Sequence, residues 1–162
     1  MILAEKLLAS SDIDVRWMNG PFYNLKLLSA RTKGKRFEEI ASYIFTQKNM
    51  IVMSSTSTDY DRIVDGYRFE IKGSTITKDT DDCFSFLQIR PTQEYDYVIL
   101  ETFWFDGTIK FYKISKNDII KMISSGVFIK QHGGNKAESG TYCYNGNMKP
   151  FERYFWFEEK ID

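Results

Sequence analysis

The residues best suited to chemistry lie in one short stretch, residues 61–72, which reads DRIVDGYRFEIK. Asp65-Gly66 stands at its middle, between two runs in which apolar and polar residues alternate. Asp-Gly in that setting predicts a β-hairpin, because both central positions of a type I′ turn need a positive φ angle. A two-residue turn pairs Val64 with Tyr67 and so fixes the register of the whole hairpin.

Three ionisable side chains meet on the polar face of this hairpin, those of Asp61, Glu70 and Lys72. Glu70 and Lys72 share a face because side chains alternate along a strand, and counting outward from the turn puts Asp61 opposite Glu70. Directly opposed residues have Cβ atoms about 4.5–5.5 Å apart, so the two carboxylates repel each other unless a cation lies between them. The arrangement predicts a divalent metal site with an ammonium group beside it.

An Asp followed across a hairpin by Glu-x-Lys resembles the active-site signature of the PD-(D/E)xK nuclease superfamily, which includes many small type II restriction endonucleases. Tyr60 stands where the signature has its leading Pro. The resemblance spans residues 34–124. It implies a restriction-endonuclease-like fold of the mixed α/β (α+β) class, in which helices flank a central mixed β-sheet.

The resemblance also implies roles for individual residues. Asp61, Glu70 and the backbone carbonyl of Ile71 would bind Mg²⁺, an ion that prefers hard oxygen ligands. Lys72 would orient or deprotonate the attacking water and stabilise the transition state. In-line attack on a phosphodiester would leave a 5′-phosphate and a 3′-hydroxyl.

A helix is predicted before the hairpin, over residues 36–47, because its apolar residues recur at the spacing of one helical stripe. A basic cluster, residues 31–36, opens this helix. Glu38 lies at the edge of the stripe, and Gly34-x-x-x-Glu38-x-x-Ala41 resembles the first-helix pattern of many PD-(D/E)xK nucleases, whose Glu reaches the metal through water. Glu38 is therefore a further catalytic candidate. The alternative is a solvated helix start, which is our interpretation of Glu39.

Several polar residues after the hairpin could contact DNA. Ser74 and Thr75 follow Gly73, where the backbone can approach a ligand closely, and they could donate to phosphate oxygens. Gln88 and Arg90 share a face of a predicted strand, residues 83–91, and could meet the DNA backbone. A strand-ending turn and an ordinary salt bridge are the structural alternatives.

Residues 130–149 form a segment rich in Gly and in hydrogen-bonding side chains, and we interpret it as the DNA-recognition segment. Lys, Asn, Gln, Ser and Thr are the side chains that read base edges. The alternative is a long surface hairpin without a partner. The candidate contact residues are Lys130, Gln131, His132, Asn135, Lys136, Ser139, Thr141 and Asn145.

The remaining elements complete a mixed sheet. Residues 50–53 suit a buried strand, and residues 95–105, the most continuous apolar run, suit a central strand. Asp106-Gly107 predicts a second hairpin turn. A helix is predicted over Asp118–Ser124, with Ser115 in a capping motif. The aromatic tail, residues 151–157, closes the sheet or forms a subunit contact.

Length and composition limit the function classes. The 162 residues suit a single domain, residues 1–162. Lys plus Arg equals Asp plus Glu at 22 each, which argues against a protein that coats nucleic acid by bulk charge. Two Cys and one His are too few for a disulfide framework or a zinc site. No run is long enough to span a membrane and the N-terminus is a poor signal peptide, so we expect a cytoplasmic protein.

Together these features predict a Mg²⁺-dependent, sequence-specific endonuclease of double-stranded DNA, in the form of a small type II restriction enzyme. One site cuts one strand, so duplex cleavage predicts a symmetric homodimer. Two alternatives stay open. One is another nuclease of the superfamily: a Holliday junction resolvase, a nicking or homing enzyme, or a repair nuclease. The other is a non-catalytic DNA- or protein-binding domain.

Overall fold

A six-stranded mixed sheet with helices packed on it forms the centre of the molecule, and the predicted mixed α+β class is confirmed. The computed structural model describes residues 14–131 and 140–162. In those two ranges, no helix is both long enough and apolar enough to cross a membrane. The strands are β1 (Val52–Ser54), β2 (Arg62–Val64), β3 (Tyr67–Thr75), β4 (Phe84–Ile89), β5 (Tyr97–Phe103), β6 (Thr108–Ser115), β7 (Ile129–Lys130), β8 (Tyr142–Gly146) and β9 (Phe155–Lys160). The α-helices are α1 (Tyr23–Lys26), α2 (Ala30–Gln47) and α3 (Lys116–Ser124), and 3-10 turns cover Val15–Trp17 and Lys149–Tyr154.

The central sheet has the strand order β1-β2-β3-β5-β6-β9. Only the β3–β5 pairing is parallel, and the remaining pairs of this sheet are antiparallel. A second sheet, with the order β4-β8-β7, is antiparallel throughout. Because β2 is short, β3 continues beyond it, and among the residues that the structure describes the far half of β3 pairs with β5 alone.

The hairpin has the predicted two-residue turn. Val64 pairs with Tyr67, and the turn residues have the positive φ angles of a type I′ turn, 49° at Asp65 and 87° at Gly66. The turn also holds the sheet edge, because the Asp65 carboxylate accepts a hydrogen bond of 2.8 Å from the Ile51 amide. Side-chain register along β3 is therefore as the sequence predicts.

Helix α2 begins six residues before the predicted start, at Ala30, where the Ser29 hydroxyl caps the Thr32 amide. The basic cluster consequently forms its first two turns. Its apolar face packs on the sheet: Phe37 stacks on Phe103 at 5.1 Å between ring centroids. The other buried residues of α2 are Ala41, Ile44 and Phe45.

Two strand predictions need correction. Residues 50–53 do not form a buried strand: β1 is an edge strand, and Ile51 and Met53 are 69% and 56% exposed. The apolar run alone could not show that Ile51 and Met53 would be exposed to solvent. The strand predicted over residues 83–91 ends at Ile89 and lies in the second sheet, so Arg90 is outside it.

The other predicted elements are present. Strand β5 lies between β3 and β6, and Gly107 has the positive φ angle, 90°, that its hairpin turn requires. Ser115 caps α3 by accepting a hydrogen bond of 3.2 Å from the Asp118 amide. The tail forms β9, which pairs with β6 and so closes one edge of the central sheet.

Candidate active site

A cleft of about 980 Å³ opens between the first turns of α2, the far half of β3 and strand β4. Three carboxylates line it, those of Glu38, Asp61 and Glu70. Six basic side chains line it as well, those of Lys26, Arg31, Lys33, Lys35, Lys72 and Lys78. The residues predicted to be catalytic are thus gathered in one cleft in which basic side chains outnumber acidic ones.

Asp61 is fixed against β3 by two backbone contacts. Its amide donates to the Phe69 carbonyl over 2.8 Å, which continues the hairpin ladder one residue past β2. Its carboxylate oxygen Oδ2 accepts a hydrogen bond of 2.7 Å from the Ile71 amide. The carboxylate therefore lies beside the strand that carries Glu70 and Lys72, as the register predicts.

Glu70 and Lys72 form an ion pair inside the cleft, with 3.0 Å between Glu70 Oε1 and Lys72 Nζ. The side chain of Glu70 is 10% exposed and that of Lys72 is 19% exposed. Burial raises the pKa of Glu70 to about 7: the Lys72 ammonium opposes the shift and the charge of Asp61 adds to it. Both strand residues point to the face on which Asp61 is held.

Glu38 belongs to the same cluster. Burial raises the pKa of its carboxyl to about 7, and the negative charge of Asp61 and a hydrogen bond to Asp61 act in the same direction. Arg62 lies 3.6 Å away from Glu38, measured from Nη1 to Oε2, and partly compensates. Helix α2 therefore brings the catalytic candidate Glu38 to the hairpin, whereas Glu39 points away and pairs with Arg36.

The donor set fits a magnesium ion. Asp61 and Glu70 offer hard oxygen ligands, and the excess of buried negative charge is what a cation would relieve. Ile71 directs its amide to Asp61, and the carbonyl of a strand residue points to the same side as its amide. No three His, Cys, Asp or Glu side chains converge as a metal site within residues 14–131 and 140–162. Mg²⁺ ordinarily uses only one or two protein carboxylates, with water and substrate phosphate completing its shell.

Two of the predicted phosphate-contacting residues are buried. Ser74 is 6% exposed, and its hydroxyl accepts from the Ser85 amide (2.9 Å) and donates to the Thr75 carbonyl (2.8 Å). Its hydroxyl therefore joins β3 to β4, and the structure speaks against a phosphate contact. Thr75 is 7% exposed, but its hydroxyl lines the cleft and accepts a hydrogen bond of 3.2 Å from Lys26 Nζ. The interpretation of Gly73 also changes, because the close neighbour of its backbone is the Phe37 ring.

Gln88 lies in the cleft wall in an unusual conformation. Its φ angle is +58°, at an irregularity in the β4–β8 register, and its amide donates to Gln131 Oε1 over 2.7 Å. Gln88 and Arg90 are both exposed, so contact with DNA stays a prediction for each. Asp59, two residues before Asp61, accepts a hydrogen bond of 3.1 Å from the Glu94 amide.

The described residues of the predicted recognition segment include Lys130 of β7 and strand β8, both in the second sheet, and Gln131, which accepts the hydrogen bond from the Gln88 amide. Lys130 on β7 and Asn145 on β8 are exposed, so they remain candidates for DNA contact. Thr141 is 6% exposed, which speaks against a base contact from its side chain. The other candidates, His132, Asn135, Lys136 and Ser139, lie outside the described residues, and their predicted role stays a prediction.

Sequence reasoning missed several charged residues that matter here. Alternation along the hairpin could have assigned Arg62 to the face that does not carry Glu70. Its pairing with Glu38, however, depends on how α2 packs on the sheet. No local motif indicated that Lys26, or Lys33 within the basic cluster, would line the cleft.

Glu101 is fully buried on β5, and within the described residues neither of its carboxyl oxygens has a hydrogen-bond partner. Burial raises the pKa of Glu101 well above its ordinary value.

No protein-family model and no curated protein sequence matches this chain significantly. One solved structure similar to it is that of a bacterial homing endonuclease. The two are 17% identical, with a TM-score of 0.45, and the match covers 57% of this chain and 69% of the endonuclease. A likeness at this level does not establish a family, so function is argued from the site.

Proposed function

We propose that this chain is a Mg²⁺-dependent DNA endonuclease, and more narrowly a site-specific enzyme of the type II restriction class. The observation that supports it is the convergence of Asp61, Glu70 and Lys72 in one cleft whose other charged residues are mostly basic. Carboxylates that can bind a metal ion, with an ammonium group beside them, are suited to catalyse phosphodiester hydrolysis. The surrounding basic side chains suit a polyanionic substrate.

Asp61 and Glu70, with the Ile71 carbonyl, would hold the ion. When bound there, Mg²⁺ would lower the pKa of a water and neutralise charge that develops on the phosphate. The hydrogen bond from the Ile71 amide fixes the direction of the Asp61 carboxylate before any ion binds. Such preorganisation matters because charged groups that are already in place need no reorganisation during the reaction.

Lys72 orients the attacking water and stabilises negative charge on the phosphate. Its Nζ atom lies 3.0 Å from Glu70 Oε1, and an ammonium group is a donor of three hydrogen bonds with no acceptor site. In the orienting role, Lys72 donates to the water and to a phosphate oxygen while it stays beside Glu70. Glu38, on the other side of Asp61, would act on the same site through water.

The test is incubation of the purified protein with supercoiled plasmid, with Mg²⁺ or with EDTA. Discrete fragments that require Mg²⁺ would support a site-specific endonuclease, and a smear of fragments would indicate a nuclease without sequence specificity. Relaxed circles without linear product would indicate a nicking enzyme. A plasmid that stays supercoiled under all metal conditions would contradict the proposal and favour a binding module.

Lys72→Ala should abolish cleavage and leave DNA binding near that of the wild type. The matched control is Lys121→Ala, which removes an exposed ammonium of α3 outside the cleft and should leave cleavage unchanged. Melting should be compared at pH 5.5, where Glu70 is protonated and the loss of Lys72 leaves no unpaired charge. Cleavage retained by the Lys72 variant would refute the assigned role.

A further inference from the structure

The basic cluster that opens α2 has no role in the chemistry, yet the fold brings part of it together with a lysine from α1. Lys33 lies one turn before Phe37, on the side of α2 that faces the sheet. Its side chain lines the cleft together with Lys26, the last residue of α1. Lys26 Nζ donates to the Thr75 hydroxyl at the end of β3.

In the described part of the chain, these two lysines have no carboxylate within ion-pairing distance of either ammonium group. The nearest compensating charge on Lys26, that of Asp14, is shared with Arg16. Both side chains are partly buried. Burial lowers the pKa of Lys26 and of Lys33, and the charge of Lys33 lowers that of Lys26 further. Two like charges held together in a partly desolvated site are unfavourable unless an anion joins them.

The position of the pair relates it to the catalytic residues. Thr75 follows Lys72 by three residues on the same strand, which corresponds to about 10 Å. One DNA strand carries a phosphate about every 3.4 Å along the helix axis, so that distance spans a few nucleotides. The odd spacing puts Thr75 on the opposite face of β3 from Lys72, but both side chains line the same cleft. A DNA strand that follows this cleft would bring a flanking phosphate to the two lysines.

We propose that Lys26, Lys33 and the Thr75 hydroxyl form a binding site for a backbone phosphate that flanks the scissile phosphate. This inference rests on the proposed nuclease function and deepens it. The ammonium groups supply charge, and the hydroxyl can donate a further hydrogen bond to a phosphate oxygen. The site binds any nucleotide sequence equally, so it positions the substrate strand without contributing to sequence recognition.

The test measures binding of a labelled mixed-sequence duplex in EDTA, as a function of salt, for the wild type, Lys26→Gln, Lys33→Gln and the double variant. Each lost phosphate contact should reduce the slope of log K against log salt concentration by about 0.9 and weaken binding about tenfold at 0.1 M salt. Lys121→Gln is the control for a general loss of one positive charge. Melting temperatures should equal or exceed that of the wild type, because the variants relieve repulsion between like charges.

The outcomes separate this inference from the proposed function. If the wild type cuts DNA but both variants bind with the slope and affinity of Lys121→Gln, the phosphate site is wrong and the nuclease proposal stands. Lowered melting temperatures together with an unchanged slope would indicate a purely structural role for the lysines, and would also overturn the site. A wild-type protein that neither binds nor cuts DNA would overturn both proposals.

Discussion

The pKa values of Glu70 and Glu38 are both raised to about 7, because the cleft partly removes their carboxyls from water. Each has a neighbouring cation, Lys72 for Glu70 and Arg62 for Glu38, and neither cation cancels the effect of burial. A metal ion bound by the Glu70 carboxylate would have to displace its proton. Metal affinity should therefore rise with pH through neutrality.

The first prediction concerns Glu70 and the pH dependence of stability. Its pKa is about 7 in the folded protein against 4.5 for an ordinary Glu, so between these values the folded state binds more protons than the unfolded state. Stability therefore falls as the pH rises from 5 to 8. Glu70→Gln should remove part of this fall, on the order of 2 kcal/mol, measured by urea unfolding at pH 5.5 and 8.5.

Glu39→Gln is the matched control, because Glu39 is a glutamate on helix α2 that pairs with Arg36 outside the cleft. Its stability curve should follow that of the wild type across the same pH range. Mg²⁺ at pH 8.5 should stabilise the wild type and leave Glu70→Gln less affected. Parallel pH curves for wild type and Glu70→Gln would show that this carboxyl does not titrate near neutrality.

Among the elements, α2 is the one whose distance from β3 decides the geometry of the site. Gly73 lets the helix approach, since a Cβ at that position would overlap the Phe37 ring. Glu38 is the next residue after Phe37, so any shift of the ring moves a carboxyl of the cluster. The glycine thus serves the site indirectly, by allowing a close packing of helix on strand.

The second prediction is that Gly73→Ala lowers the free energy of unfolding by about 1–3 kcal/mol, the usual cost of overpacking, and lowers cleavage through displacement of Glu38. Adding Phe37→Leu should restore part of the stability, because a smaller side chain makes room for the methyl group. Urea unfolding and plasmid cleavage of the three variants measure both effects.

Gly34→Ala is the matched control for that prediction. A Cβ at Gly34 meets nothing within 4 Å, and in the interior of α2 alanine is favoured over glycine by about 1 kcal/mol. This variant should be as stable as the wild type or more so. If Gly73→Ala were as stable as the wild type, α2 could shift away from β3 at no measurable cost. That result would contradict the close packing of Phe37 on Gly73 as a constraint on the helix.

The hairpin could be predicted from sequence because everything that defines it is local. Turn residues fix the register, and alternation then assigns Glu70 and Lys72 to one face. The ion pair of Arg62 with Glu38 could not be predicted, because it depends on the packing of a helix against a strand. Ser74 shows the same limit: its hydroxyl looked free for a ligand, but it accepts a hydrogen bond from the Ser85 amide on the next strand, β4.

At the scale of the whole molecule, the cleft exists because β4 leaves the central sheet. Alternation predicted β4 as a strand, but not that its partner would be β8, whose residues lie far along the chain. Non-local pairing leaves no periodic pattern in a single sequence. The second sheet thereby places Gln88 in the cleft wall and holds it through Gln131, on the side opposite the basic face of α2.

Each chain brings together one set of Asp61, Glu70 and Lys72, whereas cutting a duplex requires hydrolysis of two strands. The third prediction is that two copies of the chain act together, each on one strand. In mixtures with a tenfold excess of Lys72→Ala, most wild-type chains would be paired with an inactive copy. Plasmid should then accumulate as nicked circles in place of linear product, and gel electrophoresis resolves the two forms.

A single chain that cuts both strands in turn would give the wild-type ratio of nicked to linear product at every mixing ratio, with only the rate reduced. Lys121→Ala chains, mixed in the same excess, should leave linear product dominant, because they retain the catalytic residues.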